Sequence, residues 1–138
     1  MRKIQWTDAQ AVHVPEVDEE HQALFRLCDD LRRAVARQAA PRELQSILDQ
    51  LITHTAGHFA HEEREMRAAG YAHYAWHRRQ HRTALAQVAR LDRRIRRGDR
   101  GAASELLEFL GGWLNDHIGI ADRMLGAFLR NRRRAQVA

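Results

Sequence analysis

Two motifs in this sequence have a residue spacing that could bind a metal ion. His58 and Glu62 are four residues apart in the stretch HFAHEE, and His77 and His81 are four apart in HRRQH. Residues four apart on an α-helix lie about one turn apart on the same face. Such a pair can coordinate one ion through imidazole nitrogen or carboxylate oxygen atoms. For an isolated HxxxH pair, which is a short pattern, a hydrogen-bonded or solvated pair at a bundle end is the simpler explanation.

The apolar stripe of the helix that contains HFAHEE indicates which of its polar residues face inward. This stripe consists of Leu44, Leu48, Leu51, Thr55, Phe59 and Met66. At about 100° per residue, Glu62 lies near the centre of the stripe and His58 about 60° from it. His61 lies about 100° away and Glu63 about 80° away, toward opposite edges. We therefore interpret His58 and Glu62 as an inward pair, and His61 and Glu63 as boundary or surface spacers.

Four more histidines occupy core-facing positions of the other predicted helices. His77 and His81 begin a stripe that continues through Ala84, Val88, Leu91 and Ile95. His21 is aligned with Leu24, Phe25, Cys28, Leu31 and Val35, and His117 with Leu106, Leu110, Trp113, Leu114, Ala121 and Phe128. A lone core histidine such as His21 is more often a structural residue than a ligand. Each buried group without a partner costs about 1–3 kcal/mol, however, and a shared metal site would remove that cost for all of them.

The inward set of five imidazoles and one carboxylate is larger than a tetrahedral zinc site requires. Two metal ions bridged by carboxylates would use the whole set. Imidazole with carboxylate suits iron, without excluding zinc, copper or manganese. Two divalent ions in a core also need a second negative charge, for which Asp122 is the candidate. Asp122 follows His117 by five residues, which places it about 140° away on an ideal helix, so periodicity alone would not select it.

Prolines and glycines divide the chain into an N-terminal arm and four helical segments. Asp18 is predicted to cap the first helix, Pro41 to begin the second, and Gly70 and Gly98 to end the second and third. We expect an extended arm over residues 1–17, helices near 18–38, 41–70, 73–97 and from 102 onward, and a basic tail over residues 131–138. Short connections favour antiparallel neighbours. The predicted fold class is therefore all-α, an up-down-up-down four-helix bundle in a single domain over residues 1–138.

Two glycines, Gly111 and Gly112, interrupt the last predicted helix. Glycine weakens a helix interior, so a pair of them suggests a packing reason. We expect this pair to allow a neighbouring helix to approach closely.

The net charge of +5 comes almost entirely from arginine. Arginine runs at 90–97 and 131–134 could bind nucleic acid, but they also suit solvated helix C-termini. No aromatic residue is interleaved with them, so we favour solvated helix ends and expect no nucleic-acid partner. Cys28 is the one cysteine, which excludes an intrachain disulfide and indicates a small buried side chain. Because the sequence lacks an apolar signal region and a membrane-spanning run, we expect a cytoplasmic protein without a membrane span. The sequence does not determine the oligomeric state, and we favour a monomer.

The order HxxxE, HxxxH and HxxxxD, preceded by a histidine in the first helix, resembles the hemerythrin family, especially its single-domain bacterial members. The stretches that carry the resemblance are VPEVDEEHQALF, HFAHEEREM, HRRQH and WLNDHIGIAD. The resemblance extends from about Trp6 to Leu129. Glu20 stands where a glutamine often precedes the first histidine, and Ala72 stands where proline is common. Neither position is a ligand in the family, so these departures are expected to affect only loop shape.

The resemblance implies a hemerythrin-like domain with a non-haem di-iron centre. The implied metal ligands are His21, His58, Glu62, His77, His81, His117 and Asp122. His77, His81 and His117 would hold one iron. His21 and His58 would hold the other and leave an open position on it. Glu62 and Asp122 would bridge the two ions, together with an oxo or hydroxo group. Dioxygen would bind end-on at the open iron as a hydroperoxide, and nitric oxide or small anions such as azide would bind there too. The implied oxygen pocket is lined by Leu24, Phe59, Trp113, Leu114 and Ile118.

Reversible dioxygen binding, for transport, storage or delivery, is the leading functional interpretation, and we expect no enzymatic activity. One alternative is a di-iron oxidase, peroxidase or nitric-oxide-handling enzyme. Carboxylate-rich di-iron bundles use Glu-x-x-His motifs, and this sequence contains none. A second alternative is an oxygen or redox sensor, a role that in this family usually accompanies additional domains.

Overall fold

Four long helical segments form an antiparallel bundle in the computed structural model of the protein, which describes residues 4–137. The helices are α1 (Pro15–Ala36), α2 (Pro41–Ala69), α3 (Tyr74–Arg96), α4 (Arg100–His117) and α5 (Arg123–Val137). A π-helical turn, Ile118–Asp122, joins α4 to α5 without a break in the helical backbone, so α4 and α5 together make the fourth segment. Helices α1 and α3 each pack against both α2 and α4. The predicted all-α, up-down-up-down bundle is confirmed, and residues 4–14 of the predicted N-terminal arm precede α1. Residues 1–3 of that arm lie outside the described part of the chain.

The predicted apolar stripes of α1, α2 and α3 form the core of the bundle. Leu24, Leu48 and Leu91 are each at most 1% exposed. Full burial of a leucine side chain stabilises a fold by about 1.5–3 kcal/mol, so these stripes hold the helices together. Cys28 is buried as predicted, and burial raises the pKa of its thiol to about 12. Val35, near the end of its stripe, is only partly buried.

The ends of α2 and α3 follow the predicted proline and glycine signals. Pro41 opens α2, where its missing N–H removes no helical hydrogen bond. Gly70 ends α2 with φ of 64°, a left-handed conformation that glycine adopts without steric cost. The Tyr71 N–H then donates to the Met66 carbonyl at 2.9 Å and closes the last turn. Gly98 follows α3 in a similar conformation, with φ of 95°.

The first helix begins earlier than predicted, and Asp18 is not its N-cap. Helix α1 starts at Pro15, which places Asp18 inside the first turn. The Asp18 carboxylate instead accepts hydrogen bonds from the backbone N–H groups of Val12, at 2.8 Å, and His13, at 3.0 Å. Asp18 therefore anchors the arm to α1 rather than capping the helix. Helix α4 also begins two residues before its predicted start, at Arg100.

The predicted role of the glycine pair in the last segment is wrong. A Cβ atom built on Gly111 or Gly112 has no neighbouring heavy atom within 4 Å. The close approach occurs at Gly126 in α5, where a Cβ atom would lie 2.8 Å from the Val12 carbonyl oxygen. Gly126 therefore lets the N-terminal arm lie directly on α5.

The π-helical turn shifts the phase of the last segment by one residue. Phe128, which regular periodicity assigns to the core stripe, is only partly buried. Leu125 and Leu129 face the core instead and are 1% and 4% exposed. A regular 3.6-residue repeat does not allow for an inserted residue. It therefore assigns the residues after the insertion to the wrong positions around the helix.

The predicted basic tail over residues 131–138 is part of α5 and is helical through Val137, and residue 138 lies outside the described residues. Arg123 and Arg130 donate hydrogen bonds to the carbonyl oxygens of Ala9 and Val12, and Arg133 pairs with Glu16. These contacts attach the arm and the start of α1 to α5.

The arginine run at the end of α3 is partly neutralised by carboxylates. Arg94 contacts Asp99 at 2.8 Å and Glu105 at 2.6 Å, and Arg96 contacts Asp92 at 2.9 Å. These pairs are exposed to solvent and contribute little to stability. They support the interpretation of this run as a solvated helix end. Within residues 4–137, no helix is long and apolar enough to cross a membrane.

Candidate metal centre

Seven polar side chains from all four helical segments meet inside the bundle. They are His21 from α1, His58 and Glu62 from α2, His77 and His81 from α3, His117 from α4 and Asp122 from the π-helical turn. Each is at most 4% exposed. The inward orientation expected from the stripes is therefore seen for all five histidines and for Glu62.

The two oxygen atoms of Glu62 face different histidines. Its Oε1 lies 3.1 Å from His81 Nε2 and 3.4 Å from His77 Nε2. Its Oε2 lies 3.5 Å from His58 Nε2 and 3.9 Å from His21 Nε2. Glu62 thus lies between two groups of imidazoles, with one oxygen toward each.

The two oxygen atoms of Asp122 also face different histidines. Its Oδ1 lies 3.1 Å from His77 Nε2 and 3.2 Å from His117 Nε2, and its Oδ2 lies 3.0 Å from His21 Nε2. The π-helical turn makes this possible because its wider turn carries Asp122 back to the face of His117. A regular helix would have placed the two side chains about 140° apart.

The donor atoms form two groups of unequal size that share both carboxylates. One group contains Glu62, His77, His81, His117 and Asp122, and the other contains His21, His58, Glu62 and Asp122. Within each group the donor atoms all lie within 4.8 Å of one another. The second group has one imidazole fewer, so it offers one protein ligand fewer than the first.

Although several of these nitrogen–oxygen distances are short, many donor atoms of the centre make no well-directed hydrogen bond among residues 4–137. They include both oxygens of Glu62, both oxygens of Asp122, His21 Nε2 and His81 Nε2. In addition, the Nε2 atoms of His77 and His117 approach each other at 3.1 Å. Buried polar atoms are costly unless they are hydrogen-bonded or coordinate a metal. Nitrogen and oxygen atoms that converge without partners are the arrangement that a bound cation requires. The seven side chains therefore fit a metal centre.

The charges of the centre point to the same conclusion. Burial acts to raise the pKa values of Glu62 and Asp122, and the charge of Asp122 acts to raise that of Glu62 further. The surrounding imidazoles outweigh these effects and hold both pKa values below their usual range. Burial alone would lower the pKa values of His58 and His77, yet the same carboxylates raise each to about 9. Burial lowers the pKa of His117. Cations at this centre would displace protons from His58 and His77.

Three imidazoles form hydrogen bonds through Nδ1, the nitrogen that faces away from the centre. Their partners are residues that the sequence did not predict as part of the site. His58 Nδ1 contacts Glu20 at 2.7 Å, His81 Nδ1 contacts Glu63 at 3.0 Å and His117 Nδ1 contacts Gln80 at 2.8 Å. Each contact is made through Nδ1 and leaves Nε2 directed at the centre. Hydrogen bonds of this kind orient ligand imidazoles and increase their basicity.

Two of these residues correct earlier interpretations. Glu63 is not a spacer, because it accepts a hydrogen bond from His81. Glu20 does not affect loop shape, because it lies inside α1 and contacts both His58 and His61. His61 is likewise tied to the site through Glu20 rather than being a spacer. Glu20 and Glu63 lie at the edges of polar helix faces, where solvent-facing glutamates are common. The sequence therefore did not indicate that they contact ligand histidines.

Aromatic rings cover one side of the centre. Phe59 stacks on His81 with ring centroids 3.9 Å apart, and the partly buried Trp113 stacks on His117 at 4.3 Å. Phe59 and Trp113 also contact each other, with centroids 5.4 Å apart. The other residues expected to line the oxygen pocket, Leu24, Leu114 and Ile118, are buried. The remaining histidines, His13, His54 and His73, are exposed and lie outside the centre.

Comparison with known proteins agrees with this geometry. The family model of the Hemerythrin HHE cation binding domain matches residues 12–129. The bacteriohemerythrin of Ralstonia nicotianae is 33% identical over 132 residues, which cover 96% of this chain and 93% of that protein. The bacteriohemerythrin of Methylococcus capsulatus is 29% identical over 130 residues, which cover 94% and 98%. A crystal structure of wild-type hemerythrin matches with a TM-score of 0.83 at 28% identity, covering 93% of this chain and 98% of that chain. This chain belongs to the hemerythrin HHE cation binding domain family.

Proposed function

We propose that this protein binds dioxygen reversibly at a non-haem di-iron centre. His77, His81 and His117 would hold one iron, His21 and His58 the other, and Glu62 and Asp122 would bridge the two. The observation that carries the proposal is that each carboxylate directs one oxygen to each histidine group. The group with fewer protein donors would leave its iron with a position for dioxygen.

Bound iron would supply reversible exchange of two electrons with dioxygen, and the polypeptide would control access and water. Phe59 and Trp113 cover the rings of His81 and His117, two imidazoles of the three-histidine group. Leu24, Leu114 and Ile118 would line the oxygen pocket, and their buried side chains would keep water from charges that form there. A dry pocket should slow irreversible oxidation of the iron pair.

Binding without further chemistry is favoured over oxygen activation by the composition of the centre. Its seven donors comprise five imidazoles and two carboxylates, whereas carboxylate-rich di-iron bundles take a Glu-x-x-His motif from each of two helices. The names of the similar proteins, bacteriohemerythrin and hemerythrin, agree with the carrier interpretation. An oxidase, a nitric-oxide-handling enzyme and a sensor are the competing functions.

Cycles of oxygenation test the proposal. The iron-loaded protein is reduced without oxygen, exposed to air and then flushed with inert gas, while its visible spectrum is recorded. The proposal predicts a coloured species that forms in air and disappears under inert gas through repeated cycles. Continuous consumption of a reductant with oxygen, faster than slow autoxidation, would instead show an enzyme.

A further inference from the structure

Glu20 precedes His21 on α1, yet its carboxylate contacts α2. Its Oε1 accepts a hydrogen bond from His58 Nδ1 at 2.7 Å. Both of its oxygens accept from His61 Nδ1, at 3.0 Å and 2.8 Å. One carboxylate thus joins two imidazoles of α2 to α1 beside the metal centre, and His61 lies on the side nearer to solvent.

This contact determines which nitrogen of His58 is available to a metal. An ionised carboxylate only accepts hydrogen bonds, so Nδ1 of His58 must carry the hydrogen. Nε2 is thus the nitrogen that can offer a lone pair once it is deprotonated, and it lies 3.5 Å from Glu62 Oε2 within the four-donor group. The contact therefore holds the ring in one orientation and makes Nε2 the nitrogen that releases its proton when a cation binds.

The four-donor group depends on this contact more than the five-donor group depends on any single one. His21, its other imidazole, has no hydrogen-bond partner for Nδ1 in the part of the chain that the structure describes. In the five-donor group, His81 and His117 each have a partner, Glu63 and Gln80. Among the described residues, His58 is thus the imidazole of this group whose Nδ1 is held by a hydrogen bond.

His61 restrains Glu20 in turn. The Glu20 side chain is 33% exposed, so a carboxylate with a single partner could rotate toward water. The contact of His61 Nδ1 with both oxygens holds the carboxylate plane toward His58. Holding Oε1 in this way maintains the bond to His58.

We propose that Glu20, held by His61, is a positioning residue that orients His58 toward iron and lowers the reduction potential of that iron. A negative charge on the Nδ1–H side makes the imidazole a stronger electron donor, which favours the ferric ion. This inference rests on the proposed di-iron function, because it concerns the iron that His58 would bind.

The test compares the iron-loaded full chain with four variants. Glu20→Ala removes the hydrogen bond and the charge, Glu20→Gln keeps an accepting oxygen without the charge, and His61→Ala releases Glu20. Glu19→Gln is the matched control, because Glu19 is exposed on the same helix. The measurements are iron retention against a chelator and the reduction potential of the iron pair in a mediated titration.

We expect Glu20→Ala to weaken the binding of one of the two irons about 10–100-fold. Glu20→Gln should restore most of that binding, because its amide oxygen still accepts from His58, yet it should raise the reduction potential. His61→Ala should show a smaller effect of the same kind as Glu20→Ala, and Glu19→Gln should match the unmutated chain.

Unchanged iron retention and potential in Glu20→Ala would overturn the inference. An unchanged potential in Glu20→Gln would also contradict it, and this result decides the matter if Glu20→Ala does not fold. If the unmutated chain itself fails to hold two irons, the proposed function fails. That failure is distinguishable, because it is measured without any variant.

Discussion

His117 and Asp122 are five residues apart in the chain, yet His117 Nε2 lies 3.2 Å from Asp122 Oδ1. The π-helical turn Ile118–Asp122 accounts for this proximity. Its extra residue brings Asp122 to the inner face of the bundle, where His21 and His77 also approach the carboxylate. Bulges of this kind occur often at functional sites, and this one completes the set of buried donors.

Replacing Asp122 tests whether its carboxylate bridges two ions. The change Asp122→Asn leaves one oxygen and removes the negative charge, so we expect the chain to bind at most one iron firmly. Asp116→Asn is the control, since Asp116 lies one residue before His117 with an exposed side chain. Iron content per chain, measured after removal of loosely bound metal, should fall only in Asp122→Asn. Two irons retained in Asp122→Asn would refute the bridging role.

Leu114 tests the proposed dry pocket. Its side chain is 4% exposed and is proposed to line the oxygen pocket, so Leu114→Asp would introduce a charged group and water there. We expect autoxidation of the oxygenated protein to become at least about tenfold faster, a change of about 1.4 kcal/mol in the barrier. Leu114→Met, which keeps an apolar side chain of similar volume, should change the rate little. An autoxidation rate of Leu114→Asp equal to that of the unmutated protein would exclude this role for Leu114.

The metal-free protein should lose stability as the pH rises above 6.5. Against the effect of burial, Glu62 and neighbouring carboxylates raise the folded-state pKa of His58 to about 9, and Asp122 and Glu62 do the same for His77. A raised pKa contributes stability that is fully present below the unfolded-state value near 6.5 and is lost as the pH passes 9. The loss should be roughly 3 kcal/mol for one histidine, and less than twice that for both, because they share the same carboxylates.

Urea unfolding of the metal-free chain at pH 6.5 and pH 9.5 measures this effect. The lowered pKa values of Glu62 and Asp122 act in the opposite direction, and their contribution is lost as the pH falls below about 4. We therefore expect greatest stability in weakly acidic solution. A free energy of unfolding that rises between pH 6.5 and pH 9.5 would contradict the assigned charges.

Two glycine substitutions should change stability in opposite directions. Gly112 is exposed within α4 and has free space around it, so Gly112→Ala should stabilise the protein by about 0.5–1 kcal/mol. A Cβ atom at Gly126 would lie 2.8 Å from the Val12 carbonyl oxygen, so Gly126→Ala should destabilise it by about 1–3 kcal/mol. Urea unfolding of both variants under identical conditions provides the comparison. Equal signs for the two changes would show that the arm does not pack on α5 in this way.

Much of the bundle could be predicted from the sequence because its main signals are local. Apolar spacing identified the inner faces of α1, α2 and α3, and Pro41 and Gly70 marked the ends of α2. The same spacing directed His58 and Glu62 inward, where the structure has them. These features depend on one helix at a time, which is why a single sequence contains them.

Features that depend on two elements could not be predicted in this way. Gly126 and Asp18 both contact Val12 of the N-terminal arm. Neither contact follows the periodicity of a helix, so the sequence pattern does not indicate it. Three residues that contact ligand histidines, Glu20, Glu63 and Gln80, lie at the polar edges of their helices. A polar residue at such an edge can face solvent or contact another helix, and the sequence does not distinguish the two cases. Asp122 followed from the family resemblance and from charge balance, because the π-helical turn is invisible to regular periodicity.

The central claim, that two irons share the carboxylates of Glu62 and Asp122, is tested most directly by metal analysis of the purified chain after loading with ferrous iron. We expect two iron ions per chain, retained after removal of loosely bound metal. A single tightly bound zinc, or one iron per chain at saturation, would contradict it.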